Sequence, residues 1–321
     1  MKLLRYVLIV CVMCVSIYAK VSPSRIVDTH TEITSMQQSN GKLYVCTSQG
    51  EVQVYALDTL KFLQRINIPS YTDLFGFVFR PKVFNTDVNI NGEILIVAAG
   101  VNGSRSLYIY ANENLQVLLD GMSIAKALWI TQTQVLVALM SHEVLLFDTQ
   151  QKKIIYQTQV TQASFSDMVY NAHDHVVYTT GESGVVYAID PSNGKILGHY
   201  DMINKDKIFA LSFGGDSLVG AGQDKRLSIY RFQNGSKLLD SAMVRSEFLI
   251  YVTGIDTRGE YIGYMSDENG SVQILRAKDK KPLVLLEGIS GVVNSIIFYG
   301  ANVFVSCDDN KIYVFNLQGV L

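Results

Sequence analysis

The chain has 321 residues, a net charge of −2, 17% charged residues and 48% hydrophobic residues. Charges of both signs are mixed along the chain without a basic excess, which excludes the basic patch of a nucleic-acid-binding protein. The high apolar content excludes a disordered chain and suits a large buried core.

The first predicted element is a secretory signal at residues 1–19. Two basic residues precede an apolar run at residues 6–17, which is too short to cross a bilayer comfortably. Ala19 supplies a small residue for cleavage, so we expect a periplasmic protein whose mature chain begins near Lys20. An uncleaved or lipid-anchored N-terminus is the alternative. No later apolar run approaches the ~18 residues of a membrane span.

A strand–turn–strand pattern recurs along the rest of the chain, as in GVVYAIDPSNGKIL at residues 184–197. The apolar residues that close the copies are Tyr55, Tyr110, Phe147, Ile189, Tyr230, Leu275 and Phe315. Their spacings are 55, 37, 42, 41, 45 and 40 residues. Repeats of ~40–45 residues built from short strands are typical of β-propeller blades. We therefore predict an all-β protein with one seven-bladed β-propeller domain at residues 20–321.

The fifth copy divides into four predicted strands at residues 207–213, 217–222, 226–232 and 236–243. Polar turns separate these strands, and Asn-Gly dipeptides occupy the hairpin positions of several copies. Asn-Gly between alternating strands is a strong hairpin signal, because both residues tolerate positive φ. This division supports a four-stranded blade.

The last copy ends after its third strand, and a spare strand-like segment at residues 24–31 precedes the first copy. We expect this N-terminal strand to complete the seventh blade and close the ring, which removes exposed sheet edges.

Closure makes the first and seventh blades neighbours, and each of them carries one cysteine, Cys46 and Cys307. In an oxidising compartment the two thiols are candidates for a disulfide. Their positions in the repeat differ by one residue, which turns one side chain to the other face of its sheet. Two separate buried cysteines are the alternative.

The longest spacing contains an extra segment, PSYTDLFGFVFRPKVF at residues 69–84, between the first two blades. Such a connection lies at the top of a propeller, around the channel mouth. Phe75, Phe77 and Phe79 alternate along it and Arg80 follows. Exposed aromatic residues with arginine are favoured interface anchors. We predict a partner-binding surface here, with packing of the segment over its own blade as the alternative.

Inner strands place the carboxylates Asp87 and Asp167 in the predicted channel. Lys126 in the third blade occupies the same strand position as Asp167 in the fourth. A channel-lining ion pair between them is therefore favoured over catalysis. His173 and His175 form an H-x-H pair in a predicted exposed turn, and no third ligand is suggested nearby. No nucleophile elbow, phosphate loop or zinc-binding cysteine set occurs. We therefore predict no catalytic residue, no metal and no cofactor.

The segment GVVYAIDPSNGKILGHY resembles the quinoprotein-type propeller repeat, although the usual tryptophan after that motif is missing. The other copies are more similar to WD40 repeats, without clear Gly-His or Trp-Asp marks. Taken whole, the chain is similar to the NapL-type accessory proteins, exported propellers encoded beside bacterial periplasmic nitrate reductases. The resemblance implies a periplasmic auxiliary role in nitrate respiration and carries over no catalytic residues.

Three functional hypotheses follow. The first is a monomeric, non-catalytic protein-interaction scaffold that assists assembly or electron supply of a periplasmic nitrate reductase, with a respiratory reductase or its redox partners as the bound protein. The second is a propeller enzyme of the lactonase or quinoprotein-dehydrogenase type, which requires a carboxylate–metal set or a cofactor pocket with a stacking tryptophan. The third is an outer-membrane assembly scaffold.

Overall fold

A computed structural model describes residues 19–73 and 75–321. Apart from Ala19, the predicted signal sequence lies outside these residues. Within this part of the chain, no helix is long and apolar enough to cross a bilayer.

Seven sheets form the blades of a β-propeller, which confirms the predicted all-β, seven-bladed fold. Blade 1 consists of β3 (Ile33–Ser39), β4 (Lys42–Thr47), β5 (Glu51–Ala56) and β6 (Phe62–Asn67). A small hairpin follows, made of β7 (Tyr71–Thr72) and β8 (Val78–Phe79). Blade 2 consists of β9 (Val83–Val88), β10 (Ile94–Ala99), β11 (Arg105–Ala111) and β12 (Asn114–Met122), with a 3₁₀ turn at Val101–Gly103.

Blades 3 to 7 continue the same order, with the first strand innermost. Blade 3 consists of β13 (Ile124–Trp129), β14 (Gln134–Leu139), β15 (Glu143–Asp148) and β16 (Lys153–Gln159). Blade 4 consists of β17 (Phe165–Asn171), β18 (Val176–Gly181), β19 (Val186–Ile189) and β20 (Ile196–Tyr200). Blade 5 consists of β21 (Ile208–Gly214), β22 (Ser217–Gly222), β23 (Arg226–Gln233) and β24 (Lys237–Arg245). Blade 6 contains β25 (Thr253–Ile255), β26 (Tyr261–Met265), β27 (Val272–Arg276) and β28 (Lys281–Leu286). Blade 7 contains β29 (Val293–Tyr299), β30 (Asn302–Cys307) and β31 (Lys311–Asn316).

The core lies between neighbouring blades. Second strands such as β18 are buried along their whole length, whereas outer strands such as β16 are mostly exposed. A strand covered on both faces must be apolar at consecutive positions, which explains runs such as Val-Val-Tyr in β18. Each predicted closing residue lies in the third strand of its blade.

The N-terminal strand β2 (Arg25–Asp28) pairs antiparallel with β31 and completes blade 7, as predicted. The backbone N–H of Thr29 extends the pairing to the Asn310 carbonyl at 2.8 Å. Val27 packs against the core between blades 7 and 1, while Ile26 is 52% exposed. Val27 therefore contributes to ring closure by burial, and hydrogen bonds of the backbone and of the Arg25 and Asp28 side chains add to it.

A second N-terminal strand was not predicted. β1 (Ala19–Val21) pairs in parallel with β28 and adds a fifth strand to blade 6. Lys20 Nζ lies 2.6 Å from Glu287 Oε1 at its edge. Three residues are too few to show a period-2 pattern, so this strand carries no sequence signal.

Candidate functional site

The extra segment between blades 1 and 2 contains a small hairpin, called here the aromatic hairpin (residues 71–73 and 75–80). β7 and β8 pair antiparallel, and the rings of Tyr71 and Phe79 stack with centroids 5.7 Å apart. One carboxylate oxygen of Asp73 accepts hydrogen bonds from the backbone N–H groups of Phe75 and Phe77, each at 2.9 Å. These local hydrogen bonds therefore restrain the backbone at Phe75 and Phe77.

The apolar side chains of the aromatic hairpin lie in solvent. Phe75 is 84% exposed, Phe77 66%, Val78 71% and Phe79 44%. The rings are therefore not buried against the segment's own blade, which was the alternative interpretation. Exposure is the condition that partner binding requires, and binding itself stays a prediction.

The base of the aromatic hairpin is anchored to the face that carries the turns between second and third strands. Pro81 packs against Gly50 in that turn of blade 1, and the N–H of Ala99 donates to the carbonyl of Lys82 at 2.8 Å. Arg80 and Lys82 are both exposed, and neither makes an ion pair with any residue that the structure describes. The exposed apolar tip therefore has two free cations at its base.

The inner strands surround a central channel with a volume of about 1290 Å³. In six blades the inner strand has a β-bulge that leaves one residue without a partner on the second strand. The bulged residues are Thr34, Phe84, Ala125, Ser166, Phe209 and Asn294, and all of them line the channel. A bulge adds one residue and re-aims side chains. The bulges therefore determine which side chains line the channel at the end where the inner strands begin.

The predicted ion pair is present in the channel. Lys126 Nζ lies 2.7 Å from Asp167 Oδ1 and joins blades 3 and 4. The second oxygen of Asp167 accepts the backbone N–H of Leu211 in blade 5 at 2.8 Å. Asp167 thus links three consecutive blades.

Asp87 has a similar role two blades earlier. Its oxygens accept the side-chain N–H of Gln37 in blade 1 and the backbone N–H of Trp129 in blade 3, each at 2.6 Å. Burial is the main cause that raises the pKa of the Asp87 carboxyl, and these hydrogen bonds and the charge of Lys126 oppose it. Both channel carboxylates are therefore engaged in blade-to-blade contacts.

Arg105 is a channel residue that sequence reasoning missed. Its guanidinium lies over the Phe84 ring, 3.5 Å from the centroid, and Nη1 donates to the carbonyl of Ala125 at 3.3 Å. Arg105 begins β11, two strands away from Phe84 in the sheet, so no local pattern marks the contact.

The histidines divide into turn residues and one buried residue. His173 and His175 lie in the turn between β17 and β18, as predicted, and His175 contacts the Tyr170 hydroxyl at 2.7 Å. His142, which sequence reasoning did not single out, is fully buried between blades 3 and 4. No group of three or more His, Cys, Asp or Glu side chains suited to a metal ion occurs in residues 19–73 and 75–321.

The candidate Cys46–Cys307 disulfide is absent, and the alternative of two separate buried cysteines is the one observed. Both cysteines are buried and free. Cys46 packs into the core between blades 1 and 2, with Sγ 3.7 Å from the Thr86 hydroxyl, whereas Cys307 packs into the core of blades 6 and 7. Side chains alternate between the two faces of a sheet along a strand, so the one-residue offset in the repeat places the two thiols on opposite faces of their blades.

No protein-family model matches the chain, and no curated protein matches it. The resemblance to the NapL-type accessory proteins therefore has no support from these comparisons. The propeller fold that it implies is present.

Proposed function

We propose that the protein is a non-catalytic interaction scaffold that binds a protein partner through the aromatic hairpin. The observation that carries the proposal is the group of four exposed apolar side chains on the aromatic hairpin, Phe75, Phe77, Val78 and Phe79. Monomeric proteins seldom leave such clusters in water, and aromatic residues dominate interface energies. Hydrogen bonds to Asp73 restrict the tip before binding, which lowers the entropic cost of association.

The partner surface that fits this hairpin is an apolar cleft bordered by carboxylates. The cleft would take the phenylalanine rings, and the carboxylates would pair with Arg80 and Lys82. Following the resemblance, we propose that the partner is a periplasmic respiratory reductase of the nitrate type or one of its redox proteins. Engagement of Asp87 and Asp167 in blade-to-blade contacts supports a non-catalytic role.

Replacing Phe75, Phe77 and Phe79 together with serine tests the proposal. Because the rings contribute little to the core, we expect the variant to melt within a few degrees of the wild type. It should lose the partner that wild-type protein captures from periplasmic extract, since one interface hot spot contributes about 2 kcal/mol or more.

The matched control is Ile90→Ser. Ile90 is 79% exposed and lies between β9 and β10, at the opposite end of β9 from the hairpin. The control should retain the partner. Equal capture by the triple variant would contradict the proposal, and capture of lipid vesicles in place of protein would replace it with membrane attachment.

A further inference from the structure

A small recess lies at the rim of the propeller, between the two outer strands of blade 5 and the connection that leads into this blade from blade 4. Its volume is about 290 Å³. Met202 and Ile203 of the connection form one wall, and residues of β23 and β24 form the other. The recess shares no lining residue with the central channel, so it is a separate cavity.

Two arginines face each other in this recess. Arg226 begins β23 and Arg245 ends β24, and the two residues are directly opposite each other in the antiparallel pairing. Opposite residues project their side chains from the same face of a sheet, with Cβ atoms about 4.5–5.5 Å apart. Because like charges at such positions destabilise a sheet, the pair calls for a compensating negative charge.

The protein supplies only part of that negative charge. Asp224 Oδ2 lies 3.5 Å from Arg226 Nε, and Arg226 Nη1 donates to the carbonyl of Ile203. These contacts position the Arg226 side chain, which stays 24% exposed. Arg245 is exposed, and its side chain makes no ion pair or hydrogen bond with any part of residues 19–73 and 75–321. One of the two positive charges therefore lacks a partner in the described chain.

The other side chains of the recess suit the organic part of a ligand. Ser241, Met243 and Arg245 alternate along β24 and therefore share one face, which spans about 13 Å from the first to the last. Met202 is 53% exposed and Met243 41% exposed. Flexible thioether side chains adapt to apolar groups of different shapes. The recess thus has a cationic end at the arginines, an apolar middle and a hydroxyl group at its far end.

We propose that the recess binds a small soluble organic phosphate, with the phosphate group between Arg226 and Arg245 and the organic part along Met243. The fork of guanidinium N–H groups matches the oxygens of a phosphate. A phosphate monoester carries a charge of about −1.5 to −2 at pH 7, which suits a pair of arginines better than the single charge of a carboxylate. A volume of about 290 Å³ restricts the ligand to a small molecule. The proposal is independent of the one for the aromatic hairpin.

Isothermal titration calorimetry of the full chain with phenyl phosphate and with sodium phosphate, at constant ionic strength, tests the site. We expect saturable binding of phenyl phosphate and weaker binding of inorganic phosphate, which has no organic part to contact Met202 and Met243. Arg245→Gln should weaken the binding of phenyl phosphate about tenfold to a hundredfold, the effect of losing one charge-assisted contact. The control Arg231→Gln changes an exposed arginine of the same blade outside the recess and should leave the affinity unchanged.

Absence of saturable binding for both phosphates would overturn the proposal, as would equal affinities in wild type and Arg245→Gln. Arg245→Glu gives a second test, because it places a carboxylate opposite Arg226 and should abolish the binding of phenyl phosphate. Thermal melting of both variants checks that they fold, as the exposure of Arg245 leads us to expect. Binding confined to lipid vesicles that contain phosphatidic acid would also overturn the proposal, since the anion would then belong to a membrane surface.

Discussion

Single polar side chains join neighbouring blades of this propeller. His142 is a fully buried example. Its Nδ1 lies 3.2 Å from the carbonyl of Ala163 and its Nε2 2.9 Å from the hydroxyl of Thr179. A carbonyl can only accept, so Nδ1 carries a proton, whereas the hydroxyl next to Nε2 can donate or accept. Desolvation lowers the pKa of the ring from 6.5 to about 4, so the ring is neutral at pH 7.

Neutral His142 makes stability fall on acidification. Between pH 6.5 and 4 the unfolded chain binds this proton and the folded chain does not, so the free energy of unfolding decreases as pH falls. From pH 7.5 to 5.0 we expect a loss of about 2 kcal/mol. Urea unfolding at the two pH values should show this loss in wild type and in the exposed control His199→Gln. A His142→Gln variant that kept the full pH dependence would contradict the assignment.

Asp167 should matter more for stability than the lysine it pairs with. Asp167→Ala removes the acceptor for Lys126 and for the Leu211 N–H, which leaves a buried donor unsatisfied, so we expect a cost of about 3 kcal/mol. Lys126→Ala leaves the backbone hydrogen bonds of Asp167 in place and should cost about 1 kcal/mol. Urea unfolding measures the loss of stability in each variant. A larger loss for Lys126→Ala than for Asp167→Ala would contradict the prediction.

At the scale of elements, two N-terminal strands have different roles. β2 supplies the fourth strand of blade 7, whereas β1 adds a short fifth strand to a blade that is already complete. Without β2, the outer edge of β31 is unpaired and the ring has no continuous closure. Most of the N-terminal contribution to stability should therefore come from β2.

Two truncated chains separate these contributions. A chain that begins at residue 24 lacks β1 and should melt close to a chain that begins at residue 19. A chain that begins at residue 32 also lacks β2 and the burial of Val27. It should lose at least about 2 kcal/mol and melt more than about 4 °C lower. Thermal melting at one scan rate compares the three, and equal melting temperatures would show that β2 does not close the ring.

Across the whole molecule, features with a local signal could be predicted from the sequence. The number of blades follows from the alternation of apolar and polar residues along the strands and from the turn residues between them. The Lys126–Asp167 pair follows from the equal positions of the two residues in adjacent repeats. The Arg105–Phe84 contact could not be predicted, because it joins strands that are not neighbours and depends on a bulge at Phe84. Exposure of the aromatic hairpin needed the structure as well, since its alternating residues also fit a strand packed on a blade.

We propose that the end of the propeller bearing the aromatic hairpin binds a protein. Photocrosslinking in cells of the source organism tests it most directly, with p-benzoylphenylalanine placed either at Phe77 on the hairpin or at Ile90 on the opposite face. We predict one discrete protein adduct from Phe77 that is absent from Ile90 and that disappears when Phe75 and Phe79 are also replaced by serine. No adduct from Phe77, or the same adduct from both positions, would contradict the claim.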